Sequence, residues 1–286
     1  MTEDFSITIV GLGLIGGSIA KAIRENLKVK NLWAVDINKE ALEEAKDSGI
    51  IDGFFQDDSI PLKGSDIVIL CTYPNAALEF MRRNMEHFRK NAIITDTSGI
   101  KGKIVEEARK ILRHDLEFIG GHPMSGKEST GYRISDGTIF RGSNYIITPH
   151  ESNSKETVLL LKNMMLKIGF RKVIELEPKT HDRIIAYTSQ LPHILACTVM
   201  NSESFHAGRD CIGGSFKDMT RVADINGELW SELLIENKEN ILAELSSVMS
   251  DLEDIYHMIE REDADSLKSA FRKSGNLRKE MKYEKS

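Results

Sequence analysis

A chain of 286 residues, 41% hydrophobic and 29% charged, has ordinary globular composition and is long enough for two domains around a sizeable core. Its net charge of −6, with no basic block, argues against nucleic acid and against an anionic membrane surface as partners. No apolar run approaches the ~18 residues of a membrane span, and an anionic substrate would have to be held by local cations against an unfavourable overall field.

The first stretch with clear organisation runs from Ile7 to Asp36. An apolar run, Ile7 to Val10, is cut by Gly11, Gly13 and Gly16, a helical pattern follows, and a second apolar run from Leu32 ends in Asp36, twenty residues after Gly16. That is strand, tight turn, helix, strand. With a dinucleotide bound here, each glycine has a separate role. Gly11 allows the sharp turn, Gly13 lets the backbone approach a pyrophosphate, and Gly16 lets helix and strand pack closely. The free N–H groups at the helix start, around Leu14 and Ile15, together with the positive dipole end, would hold phosphate charge. Asp36 would accept from the ribose hydroxyls and repel a 2′-phosphate, favouring NAD over NADP.

Residues 38 to 48 read as a second helix that Gly49 closes. Asp66 to Leu70 is a short buried strand leading into Thr72-Tyr73-Pro74, a loop start expected to border the cofactor, because ligands of parallel sheets meet the carboxyl ends of strands. Helix over 76 to 88, strand over Asn91 to Thr95, helix over 103 to 112 and strand over Glu117 to Gly120 continue the alternation, which implies right-handed crossovers and a doubly wound α/β sheet. Phe140 to Thr148 and Lys172 to Leu176 read as further strands flanking a helix over 155 to 168. From Thr180 onward nearly everything is helical, so the boundary is placed near Glu177-Pro178, giving domains 1–177 and 178–286. His181 to Phe205 reads as one long helix kinked at Pro192. Ile241, Leu245, Val248, Leu252, Ile255 and Ile259 form a narrow coiled-coil seam that needs a partner, within the chain or across a dimer.

Three polar clusters could carry chemistry. In Gly120-Gly121-His122-Pro123-Met124-Ser125-Gly126-Lys127-Glu128 a histidine follows a strand of the nucleotide domain, and its imidazole is a good proton acceptor near neutrality. Glu128 reads as a cap for the following turn. In Gly213-Gly214-Ser215-Phe216-Lys217-Asp218-Met219-Thr220-Arg221 a capping box of Ser215 and Asp218 starts a helix, with Lys217 and Arg221 on one face. Cations at a helix start are electrostatically costly, and an anion nearby would relieve them; pairing of Arg221 with Asp218 is the plainer alternative. The third cluster, His181-Asp182 and Ser189-Gln190-Leu191-Pro192-His193, puts two histidines twelve residues apart, about 120° around a straight helix. No group has zinc-site spacing, so no metal is expected. Cys71, Cys197 and Cys211 are scattered and odd in number, which suits reduced thiols, buried as small fillers, in a cytoplasm. Met1 to Phe5 is too short and too acidic for a signal peptide.

At these clusters the chain resembles the prephenate dehydrogenases. The matching pieces are VGLGLIGGS, Asp36, TDTSGIKG, GGHPMSGKESTG, THDRIIAYTSQLPH, GGSFKDMTRVA and WSELLIENKENI, in the family's order along nearly all of the chain. The resemblance implies a Rossmann-type domain followed by an all-helical dimerisation domain, hence a homodimer through the C-terminal helices. It also implies NAD-dependent oxidative decarboxylation of prephenate to 4-hydroxyphenylpyruvate on the route to tyrosine. It makes His122 the catalytic base, Arg221 the ligand of a substrate carboxylate, His181 and His193 pocket histidines, and Trp230 a closure of the substrate site; Lys217, on the same helix face as Arg221, would add a second cation for a dianion. Family members often carry a serine just before the Val/Ile-Lys-Gly of the fourth-strand loop, where it orients the histidine. Here Gly99 holds that position and the serine, Ser98, stands one residue earlier. Arogenate, with an amine in place of the keto group, is the alternative small-molecule substrate. A non-catalytic NAD(H)-sensing regulator and a hydroxyacid dehydrogenase with a lysine base are the rivals from other classes; His122 and Arg221 argue against the first, and the histidines of the third cluster against the second.

Overall fold

The structure, a computed structural model, describes residues 5–55, 58–127 and 129–283. Glu128 and the first four residues, on which two of the expectations above fall, lie outside the described residues.

The chain enters through β1 (Ser6–Val10), α1 (Leu14–Asn26), β2 (Asn31–Val35) and α2 (Lys39–Asp47). Asn38 caps α2 by accepting from the Ala41 amide at 3.2 Å. β3 (Gly53–Phe54) and α3 (Ser59–Gly64) come next, too short for any hydrophobic period to announce them. Then follow β4 (Ile67–Leu70), α4 (Pro74–Asn84), β5 (Ile93–Asp96), α5 (Gly102–Ile111), β6 (Glu117–Pro123), β7 (Asn144–Thr148), α6 (Lys155–Lys167) and β8 (Lys172–Glu175). They form one eight-stranded sheet in the order β3-β2-β1-β4-β5-β6-β7-β8. Only the β6–β7 pair is antiparallel. Strand side chains alternate between two cores: Ile7, Ile9, Ile67 and Ile69 join one cluster, while Val10, Val68 and Leu70 join another. Apolar side chains on both faces are why the strands read as unbroken apolar runs.

β6 is longer than its sequence suggests, because a second partner takes over where the first ends. Its pairing with β5 stops at Ile119, and β7 then holds Gly121 opposite Ile147 and His122 opposite Ile146. His122 therefore sits within a strand rather than on a loop after it. Both glycines are required for space. A Cβ on Gly120 would stand 2.8 Å from Cδ of Lys101, and one on Gly121 2.1 Å from the Tyr145 hydroxyl.

Beyond β8 lie α7 (Pro178–Ile185), a five-residue π turn (Ala186–Gln190), α8 (Leu191–Met200), α9 (Ser204–Gly208), α10 (Gly214–Thr220), a 3₁₀ turn (Arg221–Ala223) and α11 (Gly227–Glu236). The single helix expected over 181 to 205 is thus divided. The Leu191 amide donates to the Ala186 carbonyl, five residues back, so the ladder has already widened where Pro192 lacks an N–H. α10 begins at Gly214 with Gly213 as its N-cap, which puts Ser215 and Asp218 inside the helix and leaves no capping box. Cys211 is exposed, contrary to the filler expected, whereas Cys71 and Cys197 are partly covered. Burial pushes the Cys71 thiol up to about 12, so it stays protonated.

By packing, the chain divides into two compact units, Met1–Lys238 and Glu239–Ser286. The first holds the sheet and α1 to α11. The second takes nearly all of α12 (Lys238–Glu260) together with α13 (Ala264–Tyr283). The seam expected over 241 to 259 lies on α12, where Leu252, Tyr256 and Ile259 are 58%, 61% and 60% exposed. Among the described residues, no helix is long and apolar enough to cross a membrane.

Replacing Gly121 with alanine would force the new methyl against the Tyr145 hydroxyl and, 2.6 Å away, the Asp96 carbonyl. We expect a loss of about 1–3 kcal/mol, read as a lower melting temperature; an unchanged melting temperature would contradict this packing.

Candidate active site

The strand order reverses between β1 and β4, and the loops leaving these two strands lie side by side. Such a switch point leaves a crevice outside the carboxyl ends of the strands. Gly11 turns the chain there at φ +89°, in the left-handed region, and a Cβ on it would meet Cys71 O at 2.6 Å and Cγ2 of Thr72 at 2.8 Å. At Gly16 a Cβ would stand 1.9 Å from the Gly11 carbonyl, so the helix could not approach the turn. Nothing lies within 4 Å of a Cβ at Gly13, which leaves the backbone bare from outside. Gly13 is the N-cap of α1 and supplies no capping side chain, so the amides of the first turn, Leu14 and Ile15 among them, remain available to an anion. Asp36 accepts from the Leu12 amide through Oδ2 and from the Asn38 amide through Oδ1 at 2.7 Å. Its carboxylate is therefore fixed against the glycine turn and still part exposed. Tyr73 and Pro74 open α4 beside this crevice, with the Tyr73 hydroxyl accepting from Nδ2 of Asn226 at 2.9 Å. These residues fit a dinucleotide: bare backbone for phosphates, a helix start for their charge, a carboxylate for ribose.

One strand further on, β5 and β6 deliver the titratable groups. Nδ1 of His122 lies 2.9 Å from Nε2 of His181, and Nδ1 of His181 lies 2.8 Å from Oδ1 of Asp182. Asp182 also accepts from the Lys101 and Gly102 amides at 2.7 Å each, so α7 is tied to the start of α5. Beneath the histidines sits a buried ion pair. Lys101 is fully buried with its ammonium on Oδ2 of Asp96, whose Oδ1 accepts from the Gly121 amide at 3.1 Å. Burial, the neighbouring His181 and the Lys101 charge hold His122 well below the ordinary histidine value of 6.5. Burial lowers His181 also, against the opposing pull of Asp182.

The structure brings some of the expected residues together and separates others. His181, expected to face substrate, is fully buried with both ring nitrogens engaged. Ser98, expected to orient His122, is buried and spends its hydroxyl on Asp96, the Ile100 carbonyl at 3.2 Å and Lys101 at 3.0 Å. His193 and Trp230 do meet, their ring centroids 4.1 Å apart with the planes tilted by 31°, and Nδ1 of His193 donates to the Ser189 carbonyl at 2.8 Å. One turn along α11 from Trp230, Leu233 would be 3.3 Å from a Cβ at Gly99, and His122 Nε2 3.9 Å from it. α11 thus carries Trp230 and Leu233 on one face, from the His193 stack toward His122. Lys217 is exposed on α10, and Arg221 opens the 3₁₀ turn that packs on α8, where the Cys197 thiol donates to the Ala223 carbonyl at 3.6 Å.

Several polar residues in this region escape a reading of the sequence. Asp96 and Lys101 look like ordinary loop residues there. Asn237 is another, buried and donating to Oε1 of Gln190, a buried member of the third cluster, at 2.8 Å and to the Asp182 carbonyl at 2.9 Å. The one usable signal is the density of polar residues in a loop directly after an apolar strand.

Residues 19–174 match the family model described as the nucleotide-binding domain of prephenate dehydrogenase, and residues 177–273 the model of its dimerization domain. The prephenate dehydrogenase of Bacillus subtilis is 32% identical over 96% of this chain and 75% of its own length. The cyclohexadienyl dehydrogenase of Zymomonas mobilis is 27% identical over 99% and 98%. The crystal structure of prephenate dehydrogenase from A. aeolicus, in complex with hydroxyphenyl propionate and NAD+, superposes with a TM-score of 0.87 at 28% identity, covering 98% of this chain and 99% of that one. With both family models matched in sequence order over a sheet whose switch point is shaped for a dinucleotide, the chain belongs to the prephenate dehydrogenase family.

Proposed function

We propose that this protein carries out the NAD-dependent oxidative decarboxylation of prephenate to 4-hydroxyphenylpyruvate, a step toward tyrosine. The carrying observation is His122, an imidazole held neutral at the carboxyl edge of a sheet with a dinucleotide cradle two strands away. Bound NAD, held by Gly11, Gly13, Gly16 and Asp36 with Thr72, Tyr73 and Pro74 along its border, would supply the hydride acceptor. His122 removes the proton of the ring hydroxyl as hydride departs from the same carbon, and loss of carbon dioxide leaves an aromatic ring. Aromatisation makes the overall step downhill, so the protein needs to position the reactants and take one proton. Placement contributes ~7–11 kcal/mol and proton transfer a factor of roughly 10² to 10⁴. Arg221, with Lys217 near it, grips a substrate carboxylate, which answers how an acidic protein holds a dianion. His193 and Trp230 stack to form one wall of the substrate site.

The nucleotide belongs to 1–177 and the substrate and dimer contacts to 178–286, a division supported by the match boundaries at 174 and 177. A homodimer through the C-terminal helices is supported by the exposed apolar residues of α12. A cytoplasmic setting is supported by three unpaired cysteines. Arogenate is the second reading, favoured by the full-length likeness to a cyclohexadienyl dehydrogenase.

NADH absorbance should rise with prephenate and NAD and much less with NADP; paired assays with arogenate decide between the substrates, and no NADH with either refutes the function. His122→Asn should lower turnover by at least roughly 10²-fold with NAD binding retained. Arg221→Ala should raise KM for prephenate about 10-fold or more, the scale of a lost charge-assisted hydrogen bond, with little change in kcat. Because the imidazole is depressed below 6.5, it stays a competent base as pH falls through that value, so the acid limb of kcat/KM should appear only below 6.5. A limb at or above 6.5 assigned to His122 would contradict this depression.

A further inference from the structure

We propose that His181 and Asp182 are positioning residues that fix the tautomer of His122, presenting its Nε2 as the bare, proton-accepting nitrogen; this rests on His122 being the base. The donors and acceptors are set in turn from the carboxylate outward. Asp182 accepts the Lys101 amide on Oδ1 and the Gly102 amide on Oδ2, both at 2.7 Å, the surroundings of an ionised acceptor. Its Oδ1 lies 2.8 Å from Nδ1 of His181, so that nitrogen must carry a hydrogen. His181 is fully buried and held neutral by that burial, which leaves Nε2 with a lone pair. Nδ1 of His122, 2.9 Å from this lone pair, must then be the donor. A neutral imidazole has one N–H, and with that hydrogen on Nδ1 the other nitrogen is free to accept.

The surroundings of Nε2 agree. Among the described residues nothing hydrogen-bonds it, and even a Cβ built on Gly99 would stand 3.9 Å away. A histidine left in water prefers the opposite tautomer, with hydrogen on Nε2, which would block the base. Loss of the orienting group in a comparable relay costs as much as about 10⁴-fold in turnover through that tautomer change. His181 therefore acts through His122 and touches no substrate.

The test uses the full-length protein labelled with ¹⁵N-histidine, with the His122 signals assigned by their loss in His122→Asn. Wild type should show His122 with its hydrogen on Nδ1. His181→Phe should lower kcat roughly 10²-fold or more, leave KM for prephenate within about threefold, and move the His122 hydrogen toward Nε2. His181→Gln, whose side-chain carbonyl can accept from Nδ1, should recover at least tenfold of the kcat lost in His181→Phe. A wild-type His122 with hydrogen on Nε2, a His181→Phe kcat within threefold of wild type, or a Gln variant no better than Phe would each overturn the relay. Should the Phe variant fail to fold, the wild-type tautomer and the Gln variant still decide. Absence of prephenate turnover in wild type, with Nδ1 protonated, would refute the assigned reaction and support the relay.

Discussion

Two backbone amides at the start of α5 and one carboxylate on α7 hold the site in place. α5 has no capping side chain of its own, and Lys101, its N-cap residue, is buried. Asp182 arrives from a segment 81 residues later in sequence and accepts both the Lys101 and the Gly102 amide. A negative group at a helix start is stabilised by the unpaired N–H groups and by the helix dipole, and more so where water is absent. The same carboxylate receives His181. Helix packing and imidazole orientation are therefore one constraint, and the first cannot slacken without disturbing the second.

Below this lies the Asp96–Lys101 pair. Removing two charges from water is costly, and such a pair persists only when hydrogen bonds satisfy what remains of each ion. Asp96 has them: the Gly121 and Ser98 amides, the Ser98 hydroxyl and the ammonium. The two glycines before His122 follow from the same pair. Lys101 lies across Gly120, and the Tyr145 hydroxyl, reaching the Asp96 carbonyl at 3.4 Å, lies across Gly121. The Gly-Gly-His sequence records how closely side chains from β7 and the β5–α5 loop pass beneath the strand.

What the sequence made legible obeyed local rules. The glycine turn, the acid at the end of β2 and the strand and helix alternation rest on short-range periodicity and spacing, and so they could be read. The histidine at the sheet edge was visible for the same reason. Contacts set by the fold were not. His122 and His181 are 59 residues apart in sequence, and only the packing of α7 on α5 brings them to 2.9 Å. The extension of β6 depends on a strand more than twenty residues later, and a Gly-Gly pair reads locally as the end of a strand. The wide turn before Pro192 was hidden because helical patterning does not distinguish a kink from an inserted residue. Ser98 sits near the right place, yet Asp96 and Lys101 compete for its hydroxyl more closely than any imidazole does.

The Lys101 ammonium bears on the whole catalytic cycle. After burial, which is the larger cause, its charge adds to the cost of an imidazolium at either histidine, so a proton taken up at His122 would rest in unfavourable surroundings. With His122 as the base, that proton would pass readily to solvent or to another base, which returns Nε2 to its accepting form.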